Sequence, residues 1–208
     1  MSILALTSDT LIGTAAAGNI EYSSPIFTGT PIGTQRGIVP TQQYYRLDSA
    51  LVGANATGAQ SIFGVGVTLS ASTVYEFEAV VAVSKSAGAN SHTVGIGFGG
   101  TATINNISYG VIEKYNTTSF TNLSTSDTVQ AFIQTASSTV MSGALTSATG
   151  FFLQNIKGTV SINVGGTFIP QYTLSAAPGG AYTTAAGSYF SIYPIGASGS
   201  NTSVGAWA

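Results

Sequence analysis

Cysteine is absent from this sequence and histidine occurs once, at His92. Without thiols there are no disulfides to staple a small core and no thiolate metal centres, and a single imidazole rules out zinc sites built on two or more histidines. Charge is the next shortage: Asp, Glu, Lys and Arg make up 6% of the residues, against roughly 25% in ordinary soluble proteins. The net charge is −2, and the five basic residues (Arg36, Arg46, Lys85, Lys114 and Lys157) are scattered along the chain. No neighbouring set of them forms the stripe that neutralises phosphates, so nucleic acid is not expected as a partner. Long apolar runs are missing as well, because Gly, Ser, Thr or Asn interrupts each one before it reaches the ~18–20 residues that span a bilayer; no membrane insertion is expected. The run Ile3–Leu6 is short and the first basic residue is Arg36, so the start of the chain does not read as a secretory signal.

In place of charge there is glycine, 26 residues in 208, with Ser, Thr, Asn and Gln to make the outer surface. A chain of this length suffices for one sizeable domain that buries roughly 70% of its extended-chain surface. Mean hydropathy is nevertheless positive, +0.34. With so few charges, a monomer exposing every apolar face would associate, so some faces are expected to press against sister chains. The expectation is a homo-oligomer.

Three of the six prolines, Pro25, Pro31 and Pro40, fall in the opening forty residues. With glycine at this density they break up ladders, so residues 1–40 read as an appendage, either an extended arm or a few short strands joined by turns. From Gln43 onward the apolar residues are β-branched or aromatic and recur with period two. In TVYEFEAVVAV (73–83), Tyr75, Phe77, Ala79, Val81 and Val83 share one face. The other face carries Val74, Glu76 and Glu78, wet, and then Val80 and Ala82, expected to be buried. Further strands are expected at 43–48, 61–69, 107–115, 128–136, 151–156, 159–164, 167–174 and 188–195. No segment holds helical periodicity for three turns. The fold class is therefore all-β, an antiparallel β-sandwich or jelly roll over residues 41–208 with an extended N-terminal arm at 1–40. The echo between GTATIN (100–105) and GTVSIN (158–163) reads as two similar hairpins.

The stretch SHTVGIGFGG (91–100) satisfies the G-x-G-x-x-G spacing through Gly95, Gly97 and Gly100. A dinucleotide fingerprint needs a helix N-terminus behind the loop, and TATINNISY follows instead. The reading is a strand with an apolar face (His92, Val94, Ile96, Phe98) and a smooth one (Thr93, Gly95, Gly97) that another backbone approaches closely. His92 has no nucleophile or orienting carboxylate at a recognisable spacing, so it reads as a structural histidine. Glu76 and Glu78 lie two apart on one strand and read as a solvated face rather than a glycosidase pair, and with Asp48 they make no calcium-loop pattern. No catalytic, cofactor-binding or metal-ligating residue is assigned. Tyr44, Tyr45, Tyr182, Tyr189 and Tyr193, placed near turns and polar neighbours, are the candidate surface tyrosines, suited to glycan stacking or to a subunit interface.

TAAAGNIEY, QRGIVPTQQYYRLDS, GANATGAQSIFGVGVTLSASTVYEFEA, SKSAGANSHTVGIGFGGTATINNISY and GGTFIPQYTLSAAPGGAYTTAAGSYFSIYPIG resemble a module of tailed-bacteriophage virion proteins, often from aquatic hosts. The resemblance runs from about Leu11 to the end. It implies a structural role in the virion and brings no catalytic residues. In longer relatives similar sequence ends a fibre chain; no shaft, repeat or coiled-coil segment is expected ahead of it here. The expectation is therefore a non-enzymatic capsid decoration or short head-fibre protein, attached through its N-terminal arm to other virion proteins and resembling phage surface proteins in being a homotrimer. The alternative is a tail-fibre or receptor-binding tip that recognises a host-surface glycan.

Overall fold

The computed structural model describes residues 6–33, 35–120, 128–205 and 207, so the Ile3–Leu6 run falls mostly outside the described residues. The described chain is all-β. In order the strands are β1 (Ile20–Ser23), β2 (Ile26–Ile32), β3 (Gln35–Val39), β4 (Gln43–Arg46), β5 (Leu51–Val52), β6 (Gly58–Ser61), β7 (Val67–Leu69) and β8 (Thr73–Lys85). They continue with β9 (Val94–Gly99), β10 (Thr103–Asn116), β11 (Thr128–Gln134), β12 (Ser138–Val140), β13 (Gly150–Val164), β14 (Gly166–Leu174), β15 (Thr183–Thr184) and β16 (Tyr189–Ala197).

Two of the three sheets form a β-sandwich. The larger runs β11-β10-β13-β8, after which β8 pairs with β16 along its first half and with the short β15 near its end; β16 carries β4 and β15 carries β5. The smaller runs β12-β9-β14-β6, with β7 also on β14. Inward residues of both sheets meet in one core: Phe77 of β8 lies 5.0 Å from Phe98 of β9 and 6.1 Å from Phe168 of β14, and Phe98 stacks on Phe168 at 4.9 Å. Tyr109 and Phe190 close the cluster from β10 and β16. Each such side chain, removed from water, contributes roughly 1.5–3 kcal/mol. The period-two pattern read from the sequence is what delivers them to one side.

Glycine decides where strands stop and where they do not. The expected strands at 151–156 and 159–164 are one strand, β13, running through Gly158. A Cβ there would lie 2.4 Å from the Cβ of Tyr109, so the missing side chain makes room for the tyrosine paired across from it. The expected strand at 61–69 is two, because Gly64 takes φ +72° and bends the chain so that Ile62 and Phe63 are both buried. GTATIN and GTVSIN are not similar hairpins: Ile104 and Ile162 pair directly in neighbouring strands. Val80 and Ala82, expected to be buried, are half-buried on the outward side of β8.

On the other sheet, β9 is buried on both faces, as its smooth side allows: a Cβ on Gly95 would meet the Thr139 carbonyl at 2.5 Å, so β12 lies directly against it. Of the two forms open to residues 1–40, the described part takes the second. β1, β2 and β3 make a separate antiparallel sheet, and among the described residues no ladder joins it to the sandwich. Arg36 pairs with Glu21 at 2.7 Å across it and also donates to the Ile12 carbonyl.

Candidate functional site

Strand alternation sends Phe190 and Ile192 of β16 into the core, and so turns Tyr189, Ser191 and Tyr193 outward. β16 pairs Tyr189 with Arg46 and Ser191 with Tyr44 on one side, and Ser191 with Glu78 and Tyr193 with Glu76 on the other. β13 continues the row by placing Lys157 opposite Glu78 and Asn155 opposite Val80. The outward face of the large sheet thus gathers three of the five candidate tyrosines with two carboxylates, an amide and an ammonium group. Tyr44 and Tyr189 stack, ring centroids 5.3 Å apart and planes 23° apart. Tyr44 is 56% exposed and Tyr189 half-buried.

The electrostatics of this face follow from those neighbours. Lys157 Nζ sits 3.0 Å from Glu76, which holds the ammonium pKa above its usual value. Burial, and then the Glu76 carboxylate beside it, push the Tyr193 hydroxyl up to about 12. Burial raises Tyr189 as well, with Glu78 adding to it. Arg46 is paired with Asp48 at the rim. Both tyrosines therefore stay protonated through the neutral range, the Tyr193 O–H directed at Glu76 and the Tyr189 O–H on the same face as Glu78.

A groove of about 460 Å³ crosses this face, bounded by Tyr189, Glu78, Asn155, Lys157, Ile112 and Ile133. Gly110 of β10 leaves its floor open. The arrangement supplies hydrogen-bond donors, acceptors and flat apolar surface. Its carboxylates are same-strand neighbours, one already engaged by lysine, rather than a pair set across a cleft.

Tyr45 points the other way. Its ring meets Phe63 edge-on at 6.1 Å and lines a second hollow of about 310 Å³ with Val65, Val67 and Pro170.

Tyr182 overturns its reading as a surface residue: it is 1% exposed, between the sheets. Proximity to the Gly179–Gly180 turn says where its backbone runs, but the ring swings inward to give its hydroxyl to His92. His92 is itself buried. Its Nδ1 lies 2.7 Å from the Asn90 carbonyl and its Nε2 2.8 Å from the Tyr182 hydroxyl. A carbonyl only accepts, so in the neutral ring Nδ1 donates and Nε2 accepts the tyrosine hydrogen. Both ring nitrogens are satisfied, which is the structural role expected of this histidine.

The same interior holds groups that sequence reasoning missed. Glu113 of β10 is buried and accepts a hydrogen bond from the buried amide of Gln154; burial raises its pKa. Lys85, also buried, donates to the Gly88 and Ser147 carbonyls at 2.5 and 2.8 Å, and burial lowers its pKa. Inward parity in TINNISYGVIEKYN, where Ile107, Tyr109 and Val111 precede Glu113, was the available signal. Among the described residues no group of three or more His, Cys, Asp or Glu side chains is placed to hold a metal. Comparison with family models, curated proteins and solved structures finds no match to this chain.

Proposed function

We propose that this chain is a non-enzymatic surface subunit of a tailed-bacteriophage virion, a capsid decoration or short head-fibre protein held to the particle through its N-terminal forty residues. One observation carries the reading. Among the described residues the N-terminal sheet shares no ladder with the sandwich, and it and the segment before it present Ile12, Ile20, Ile32 and Val39 to solvent, at 56, 67, 67 and 42% exposure. Apolar side chains on so small a sheet are what a docking element offers a lattice, and a few of them buried on attachment, at roughly 1.5–3 kcal/mol each, make a lasting contact. The phrase-level resemblance to virion modules points the same way.

A homotrimer is part of the proposal. Its support is the edge strand β11, whose Val129 is 64% exposed. This edge segment, TVQAFIQ, carries no charge, no proline and no bulge against pairing. The mechanism is adhesion without bond chemistry.

Deleting residues 2–40 tests attachment. The truncated chain is expected to keep its β-sheet circular dichroism and its oligomeric mass while failing to add to particles that lack the protein. Truncated protein that coats those particles normally would remove the reading. Gold-labelling of intact virions then separates the head from the tail.

A further inference from the structure

The chain places few charges anywhere, yet Glu76, Glu78, Lys157, Arg46 and the adjoining Asp48 gather on one side of one sheet, with Tyr44, Tyr189 and Tyr193 among them. We propose that this outward face is a binding site for a neutral oligosaccharide, laid across the strands from the tyrosine ledge toward β11.

Several features of the face fit that ligand. A sugar ring has an apolar C–H face and an equatorial rim of hydroxyls. The ledge offers ring surface for the first and, in Glu78, Asn155, Lys157 and the Tyr189 hydroxyl, acceptors and donors for the second. From β16 to β11 the face crosses four strand spacings, roughly 19 Å at the usual separation, which suits a chain of sugars better than a single one. Ile112 and Ile133 bound the far end of the groove, and the absent side chain of Gly110 keeps its floor low. The ionised groups of the ledge carry three negative and two positive charges, so an acidic glycan is disfavoured and a neutral one is not. Ser191 adds an independent mark: 1% exposed, on this same side between Glu78 and Tyr44, its hydroxyl has no hydrogen-bond partner among the described residues.

This site stands apart from the attachment proposal. Particle docking involves residues 1–40, whereas the ledge belongs to the sandwich, so either proposal can fail while the other stands.

The test uses the full-length protein and titration calorimetry with cello-, malto-, xylo- and chitohexaose, with a galacturonic acid hexamer as the acidic probe. At least one neutral hexamer is expected to bind. Tyr189→Ala and Glu78→Gln are expected to weaken that binding at least tenfold with unchanged melting temperature and oligomeric mass. Tyr45→Ala, on the other side of β4, is expected to leave it unaltered. The proposal is overturned if no neutral hexamer binds, if only the galacturonic acid hexamer does, or if Tyr45→Ala is the variant that loses binding. A change of oligomeric mass in Tyr189→Ala and Glu78→Gln would assign the ledge to a subunit seam and overturn it equally.

Discussion

The N-terminal sheet and the sandwich are both antiparallel, and both alternate inward and outward side chains, but they fill their interiors differently. Inside the sandwich, polar groups come with partners: His92 with Tyr182 and Asn90, Glu113 with Gln154, Lys85 with two carbonyls. In the small sheet the inward side of β2 is Ile26, Thr28 and Thr30, and neither buried threonine hydroxyl has a hydrogen-bond partner among the described residues. An unpaired buried hydroxyl costs free energy that a paired one does not. Between its two sheets the sandwich thus pairs the ionisable groups it buries, whereas the small sheet carries unmet polar groups within and apolar side chains without. That is the condition of a part that gains by docking.

The largest test of this contrast lies in the aromatic core. Phe77→Ala removes the ring that touches Phe98, Tyr109, Phe168 and Phe190, and is expected to cost about 3–5 kcal/mol of unfolding free energy in urea titrations. The protection of β1–β3 amides in hydrogen exchange should change much less. Loss of protection in both regions together would show one cooperative unit and break the comparison.

Smaller in size is Tyr182→Phe. Its ring packing survives, but His92 Nε2 is left buried without the hydrogen it accepts, at a cost of about 1–3 kcal/mol. A lower melting temperature of the sandwich is the expected reading, and an unchanged one would mean that another donor reaches the imidazole.

Glu113 sharpens the comparison through pH. Burial raises its pKa above the ordinary 4.5 of an exposed glutamate, so the folded state holds the proton more tightly than the unfolded one. As pH rises from the unfolded value through the folded one, the unfolded state ionises first and stability falls. Below that window the contribution is fully present. Glu113→Gln, which keeps an acceptor for Gln154, is expected to flatten the slope of melting temperature against pH upward from 4.5. A slope identical to that of the parent would locate the titration elsewhere.

Much of this contrast was legible in the residues. Alternation in TVYEFEAVVAV and HTVGIGF gave two core strands and the inward face of each, and the prolines and glycines of the first forty residues signalled the short strands and turns described there. What alternation does not encode is which distant strands pair. Tyr44 and Tyr189 are 145 positions apart in sequence and meet only because β4 joins β16. Lys157 joins them because Gly158, a turn signal on its own, sits mid-strand under Tyr109. Tyr182 misled for the same reason, since the direction of a side chain leaving a turn is set by what it packs against.

The smallest expected effect is also the one of opposite sign. Thr28→Val exchanges a buried hydroxyl that lacks a partner for a methyl group of similar size, so the desolvation cost disappears and no hydrogen bond is lost. A gain of up to about 1 kcal/mol is expected, read as slower exchange of the β2 amides rather than as a shift of the sandwich melting temperature. Tyr182→Phe takes away a hydroxyl too, yet there the partner remains behind and the sign is a loss. Two hydroxyl deletions with opposite outcomes would establish that the two interiors differ in polar satisfaction and not merely in size. If Thr28→Val instead loosens the small sheet, its hydroxyl has a partner after all, and the argument that docking completes this sheet fails with it.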